Sequence, residues 1–286
     1  MFKFKNVVAA AVATMVSSAA MALPGASTAF TSGVNNKISD DFGEFLFVDG
    51  GVVGRVDVGD VFFTWLEINT FAPSGLAKTA VNELTLVAAI EVASVLAVPP
   101  AFVTAVCGPS AVSCAAFTFK APGLATWAAI YGSLGLIAPV TNPLTAATVG
   151  VIYEDASNAG AGDFSLLTPA SAANGLDRMV VDMLVGDLWQ ATGPEFLADF
   201  AAPPDGSQLG SFTLDLTISS QSFAGWNLGP DFKGSGVLFP DSNVASKVGG
   251  DASFFFDANQ VPEPGSLALI GVALAGLGLT SRRRKA

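Results

Sequence analysis

Between Ser211 and Ser219 the side chains alternate without a break. Phe212, Leu214, Leu216 and Ile218 fall on one side, and Thr213, Asp215, Thr217 and Ser219 on the other. A period of two belongs to a β-strand, and so clean a split puts one face in a core and the other in water. Strands of an all-parallel sheet are covered on both faces and do not alternate this way. The stretch therefore predicts an antiparallel sheet.

Other segments repeat the signal more weakly. Glu44 to Val48, Val52 to Val58 and Val61 to Ile68 are divided by Asp49-Gly50-Gly51 and Gly59-Asp60, as successive antiparallel strands would be. Leu84 to Val92 and Thr148 to Glu154 read as strands, although the alanines between Glu83 and Val98 leave a helix open. Phe164 to Leu167 and Arg178 to Leu188 are further apolar segments. Phe223 to Leu228, Lys233 to Phe239 and Ala252 to Phe256 follow, and Asp251 and Asp257 flank the last as gatekeepers against aggregation. Thr28 to Asp41 is polar and reads as a lead-in, and Pro194 to Phe200 as a short helix. Residues 99–144 hold six prolines and both cysteines and read as an irregular excursion from the sheet. Cys107 and Cys114 are expected to form a disulfide, since neither Lys nor His is adjacent to activate a thiol. The expected fold is mainly β, an antiparallel sandwich or jelly roll, flanked by an N-terminal signal helix and a C-terminal transmembrane helix.

Both ends carry targeting signals. Lys3 and Lys5 precede an apolar stretch from Val7 to Val16, and Ala20-Met21-Ala22 is a small-x-small cleavage site. This is a secretory leader over residues 1–22, which requires a Sec translocon and a signal peptidase. Leu23 becomes the first mature residue, and Ala29 marks an alternative cleavage point. The body then runs from 23 to 260. At the other end Val261-Pro262-Glu263-Pro264 is stiff and hostile to helix. Every residue from Leu267 to Leu279 is apolar or glycine, and Arg282, Arg283, Arg284 and Lys285 follow. Such a basic cluster stays on the cytoplasmic side of a membrane. The run is short for a bilayer, but Gly265, Ser266, Thr280 and Ser281 can sit at the interfaces while the arginines snorkel.

Residues 261–286 resemble the PEP-CTERM sorting signal of Gram-negative bacteria, on the strength of Pro262-Glu263-Pro264, the short Leu/Ala/Gly-rich span and Arg282-Arg283-Arg284. The resemblance implies processing by an exosortase near the Pro-Glu-Pro element, a transient stay in the inner membrane, and export to the cell surface or extracellular matrix. It also implies association with exopolysaccharide, biofilm or flocs. An ordinary membrane anchor or a buried core helix are the alternatives for the same residues.

The full chain carries a net charge of −11; without the two processed ends, seven basic and 23 acidic side chains remain, a charge of −16. So acidic a body repels phosphate, which argues against nucleic acid as a partner. With no histidine in the chain, Ser-His-Asp and Cys-His catalysis and His-based zinc sites are excluded. Carboxylates could still serve an envelope hydrolase, which needs only two at a set separation. Glu154, Asp155, Asn158 and Asp163, in one glycine-containing loop, are candidate calcium ligands, because calcium takes oxygen donors from flexible loops. Asp241, Ser242 and Asn243 form a second such loop. Trp65, Trp127, Trp189 and Trp226 could stack on sugar rings, as in a carbohydrate-binding module, or fill the core. The reading that results is a non-enzymatic exported surface protein.

Overall fold

The computed structural model describes residues 29–74, 83–109, 111–155, 164–200, 207–240 and 248–261. The leader and the tail lie outside them. Twelve strands account for most of the body: β1 Val34–Val48, β2 Val61–Glu67, β3 Thr70–Ala72, β4 Glu83–Ala97, β5 Ala115–Lys120, β6 Thr148–Asp155, β7 Leu176–Asp182, β8 Leu188–Gly193, β9 Gly210–Gln221, β10 Trp226–Leu228, β11 Asp231–Pro240 and β12 Val248–Gln260. Three short helices, α1 Val103–Cys107, α2 Leu124–Leu134 and α3 Leu197–Phe200, sit between them. None of them is long and apolar enough to cross a membrane, and the span from Leu267 to Leu279 is outside the described residues.

All pairings are antiparallel, as expected, and the two facing layers are opposite walls of one sheet that closes on itself. β12 pairs β1, β1 pairs β2, and β2 pairs β4. The other edge of β4 is shared: residues 83–88 pair β6, and residues 91–97 pair β5 with a register shift between Val92 and Ser94. β5 and β6 therefore lie end to end as one interrupted strand. β7 and β8 do the same, pairing β6 and β5 on one side and β9 on the other. β9 pairs β11, and β11 returns to β12. The ring has eight positions, visited in chain order, which is an up-and-down barrel and leaves no open edge in the ring.

The alternation read in β9 holds. Phe212, Leu214 and Leu216 are buried inside, while Thr213 and Asp215 face solvent. Every wall contributes in the same phase, with Phe62 and Leu66 from β2, Leu86 and Ile90 from β4, and Phe254 and Phe256 from β12. Inward positions of this wall at Gly234, Gly236 and Gly250 are glycines because rings occupy the space a side chain would need. A Cβ on Gly250 would lie 2.2 Å from the Phe42 ring, and one on Gly236 would lie 2.4 Å from the Phe212 ring. Phe30 closes the floor of the barrel, packed edge-on against Phe223, Trp226 and Phe256 at centroid distances of 5.2, 5.6 and 5.2 Å.

β2 and β4 did not alternate in sequence because both their faces are covered. A second apolar cluster lies outside the barrel wall. There Trp127, Ile130 and Tyr131 of α2 join Phe63 and Trp65 of β2, Val87 and Ala89 of β4, and Tyr153 of β6. Residues 99–144 are thus only in part an excursion. They return β5 to the sheet, and residues 121–147 between β5 and β6 carry α2 over the outer face. Gly135, in the left-handed region at φ 69°, ends α2.

Two further expectations are corrected. From Val34 to Asp41 the polar lead-in is the first half of β1, held by β12 and β3. Val52 to Val58 is not a strand but a loop cradled by carboxylates. Asp57 accepts from the Val52 N–H at 2.9 Å, and Asp60 from those of Asp57 and Gly50 at 2.7 and 3.0 Å. Phe164 to Leu167 is irregular and packs against the outer cluster.

Cys107 ends α1 and is bonded to Cys114, just before β5, with Cα atoms 6.0 Å apart. Closing so short a loop restricts the unfolded chain by about 2–3 kcal/mol. Replacing both cysteines by serine is expected to lower unfolding stability by that amount, measured by urea denaturation, with no loss of the barrel's circular dichroism.

Candidate functional site

The tail leaves from the floor of the barrel. The Val261 N–H donates to the Gly225 carbonyl at 2.8 Å, and the Gln260 N–H to the Ser32 hydroxyl at 2.9 Å. Val261 is 46% exposed, so the chain is in solvent as the Pro-Glu-Pro element begins. Pro262, Glu263, Pro264 and the basic residues 282–285 lie outside the described residues, as do Ala20 and Ala22 of the leader. The described chain also begins at the floor, where Ala29 and Phe30 are buried.

The calcium set is not gathered by the fold as described. Glu154 is buried on β6, its carboxylate 2.6 Å from the guanidinium of Arg178 on β7. Asp155 ends β6, while Asn158, Asp163 and residues 241–243 lie outside the described residues. Among the described residues no three metal-ligating side chains cluster.

The four tryptophans form no exposed row. Trp65 and Trp127 are fully buried and Trp189 is 8% exposed. Trp226 is half-buried against Phe30. Buried acids likewise hold structure. Burial opposes ionisation of Asp177, yet the N–H groups of Val140, Thr141 and Asn142, at 2.9, 3.1 and 2.5 Å, keep its carboxyl below the usual range. Asp182 accepts from the hydroxyls of Thr145 and Thr148 at 2.9 and 2.8 Å.

Two features emerge only from the register. The first is a belt of small polar side chains on the outer wall. Ser94, Thr118, Gln190, Thr213, Ser235, Ser253, Ser39 and Thr70 are consecutive cross-strand partners on eight strands. Ser94 and Thr118 hydroxyls lie 2.6 Å apart, and Gln190 donates to Thr213 at 3.2 Å. The eight residues come from eight strands, and nothing local marks them as neighbours.

The second is a cavity of about 50 Å³ in the half of the barrel away from the floor, walled by Phe42, Phe62, Phe117, Trp189, Phe212 and Phe254. Glu44 lines it, in the inward phase of β1 between Phe42 and Leu46. Its cross-strand partner Thr64 donates to its carboxylate at 3.1 Å, and Thr64 is its one hydrogen-bond partner among the described residues. Burial away from water pushes the Glu44 carboxyl up to about 7, against a smaller opposing effect of the Thr64 hydrogen bond. The period-two phase of Phe42, Glu44 and Leu46 was the available signal that this acid points inward.

Fold and tail together define the class: an antiparallel barrel body on a C-terminal sorting segment. Residues 260–285 match the PEP-CTERM protein-sorting motif. The chain thus carries a PEP-CTERM sorting motif, which implies exosortase processing and export to the cell surface or extracellular space. No curated protein and no solved structure matches it.

Proposed function

We propose that the body is a non-catalytic component of the extracellular matrix that associates with exopolysaccharide, in biofilm or flocs. The observation that carries this reading is the hydroxyl and amide belt around an exported barrel, a continuous row of hydrogen-bonding groups at the strand spacing of about 4.8 Å. A polyol chain laid across the strands meets donors and acceptors at each step. Single contacts of this kind are weak, and many copies in one matrix add by multivalency. Divalent cations bridging the acidic bodies would strengthen the network. Before cleavage, the apolar run holds the chain in the inner membrane with Arg282 to Lys285 on the cytoplasmic side.

Deletion of Pro262 to Ala286 tests the reading. The expected result is loss of the body from the surface and matrix fraction, with reduced cell clumping. Unchanged location and unchanged clumping would overturn it.

A further inference from the structure

We propose that the cavity above the barrel floor binds a small molecule with an apolar body and one hydrogen-bond-donating head, an alcohol or a primary amine. Glu44 holds the head, and the rings of Phe42, Phe62, Phe117 and Trp189 enclose the body.

An eight-stranded barrel is either filled by its own side chains or holds one small ligand. The floor half is filled, by Phe30 and the aromatic residues around it. The other half keeps an opening of about 50 Å³ where interiors ordinarily leave no void larger than a water molecule. Ala88, Ala191 and Ala252 line it, positions at which a longer apolar side chain would close it.

The lining selects the ligand. Among the described residues, its side chains apart from Glu44 and Thr64 are apolar, and none is basic. Thr64 serves one carboxylate oxygen. The other oxygen is open to a donor from a ligand, and a hydrogen bond to an ionised acceptor is a strong one. An anionic ligand would be repelled, and a purely apolar one would bring no donor. An alcohol or an amine supplies one, and the ring faces favour an ammonium head as well. At roughly 10–15 Å³ for each water-sized group, the opening takes about four non-hydrogen atoms. Propanol and propylamine have that size.

The test is a titration of the full chain with n-propanol and, separately, n-propylamine, followed by the indole resonances in NMR and run at pH 5.5 and 8.5. Saturable binding in the millimolar range is expected. Propylamine should bind at least tenfold more tightly at pH 8.5, where the carboxylate forms, and propanol should not. Glu44→Gln should weaken propylamine at least tenfold and leave propanol within about threefold. Ala252→Leu should abolish both while the circular dichroism is retained, and Ala191→Leu serves the same purpose if that variant does not fold. Absence of saturation with both probes, or equal binding by the parent chain and the filled-cavity variants, would overturn the proposal. Propylamine binding indifferent to Glu44→Gln would overturn the role of the carboxylate.

Discussion

Glu44→Gln stabilises the barrel at pH 8 and leaves it unchanged at pH 4. The carboxyl is carried from its ordinary 4.5 to about 7 by burial, so the native state holds its proton more tightly than the unfolded chain does. Below pH 4.5 both states are protonated and the site costs nothing. Between 4.5 and 7 the unfolded chain ionises first, and stability falls as pH rises. Above 7 the loss is complete, up to about 3 kcal/mol, since each pH unit corresponds to about 1.4 kcal/mol. Among the described residues no other ionisable side chain lines the cavity to offset it. Glutamine keeps the shape and can still accept from Thr64, but does not titrate. Thermal unfolding from pH 4 to 8.5 checks this. The parent should lose stability across the window, by several degrees in Tm at this chain length, and the variant should be flat. Parallel curves for the two proteins would mean that the carboxyl is not where the geometry puts it.

Gly250→Val has the larger structural effect. Gly250 stands opposite Phe42 on one side and Leu238 on the other, at the seam where the last strand closes the ring. A Cβ there would lie 2.2 Å from the Phe42 ring and 2.3 Å from the Val237 carbonyl oxygen. The ring could turn aside, but the backbone oxygen is held in the β11–β12 ladder. A loss above about 4 kcal/mol is expected, in the range reserved for disrupted cores. The outward Ser253→Val on the same strand should change stability by less than about 0.5 kcal/mol. Urea denaturation of the two variants side by side checks this. Equal, small effects would contradict closure at this seam.

What could be read from the sequence was local. The sorting tail is legible because its three parts follow one another in order. β9 is legible because one wall is wet and the other is core, and β2 and β4 are blurred because α2 covers their outer face. Closure is not legible, because it rests on partners such as Phe42 and Gly250, more than 200 residues apart. The same limit hid the cavity and the belt. Ser39, Ser235 and Ser253 look like ordinary strand residues until the register aligns them. Glu154, one of the candidate calcium ligands, meets its ion-pair partner Arg178 on the next strand, a contact that the register alone reveals.

In a transmembrane barrel the apolar face points outward to lipid. Here it points inward and the belt points outward, so the described wall presents hydroxyl and amide groups on its outer face. The measurement that tests this account most directly is the intact mass of the protein recovered from outside the cell. The account predicts a chain that begins at Leu23 and ends near Pro262 to Pro264, with the disulfide formed. Recovery of unprocessed Met1 to Ala286 from the cytosol, with nothing outside, would contradict it.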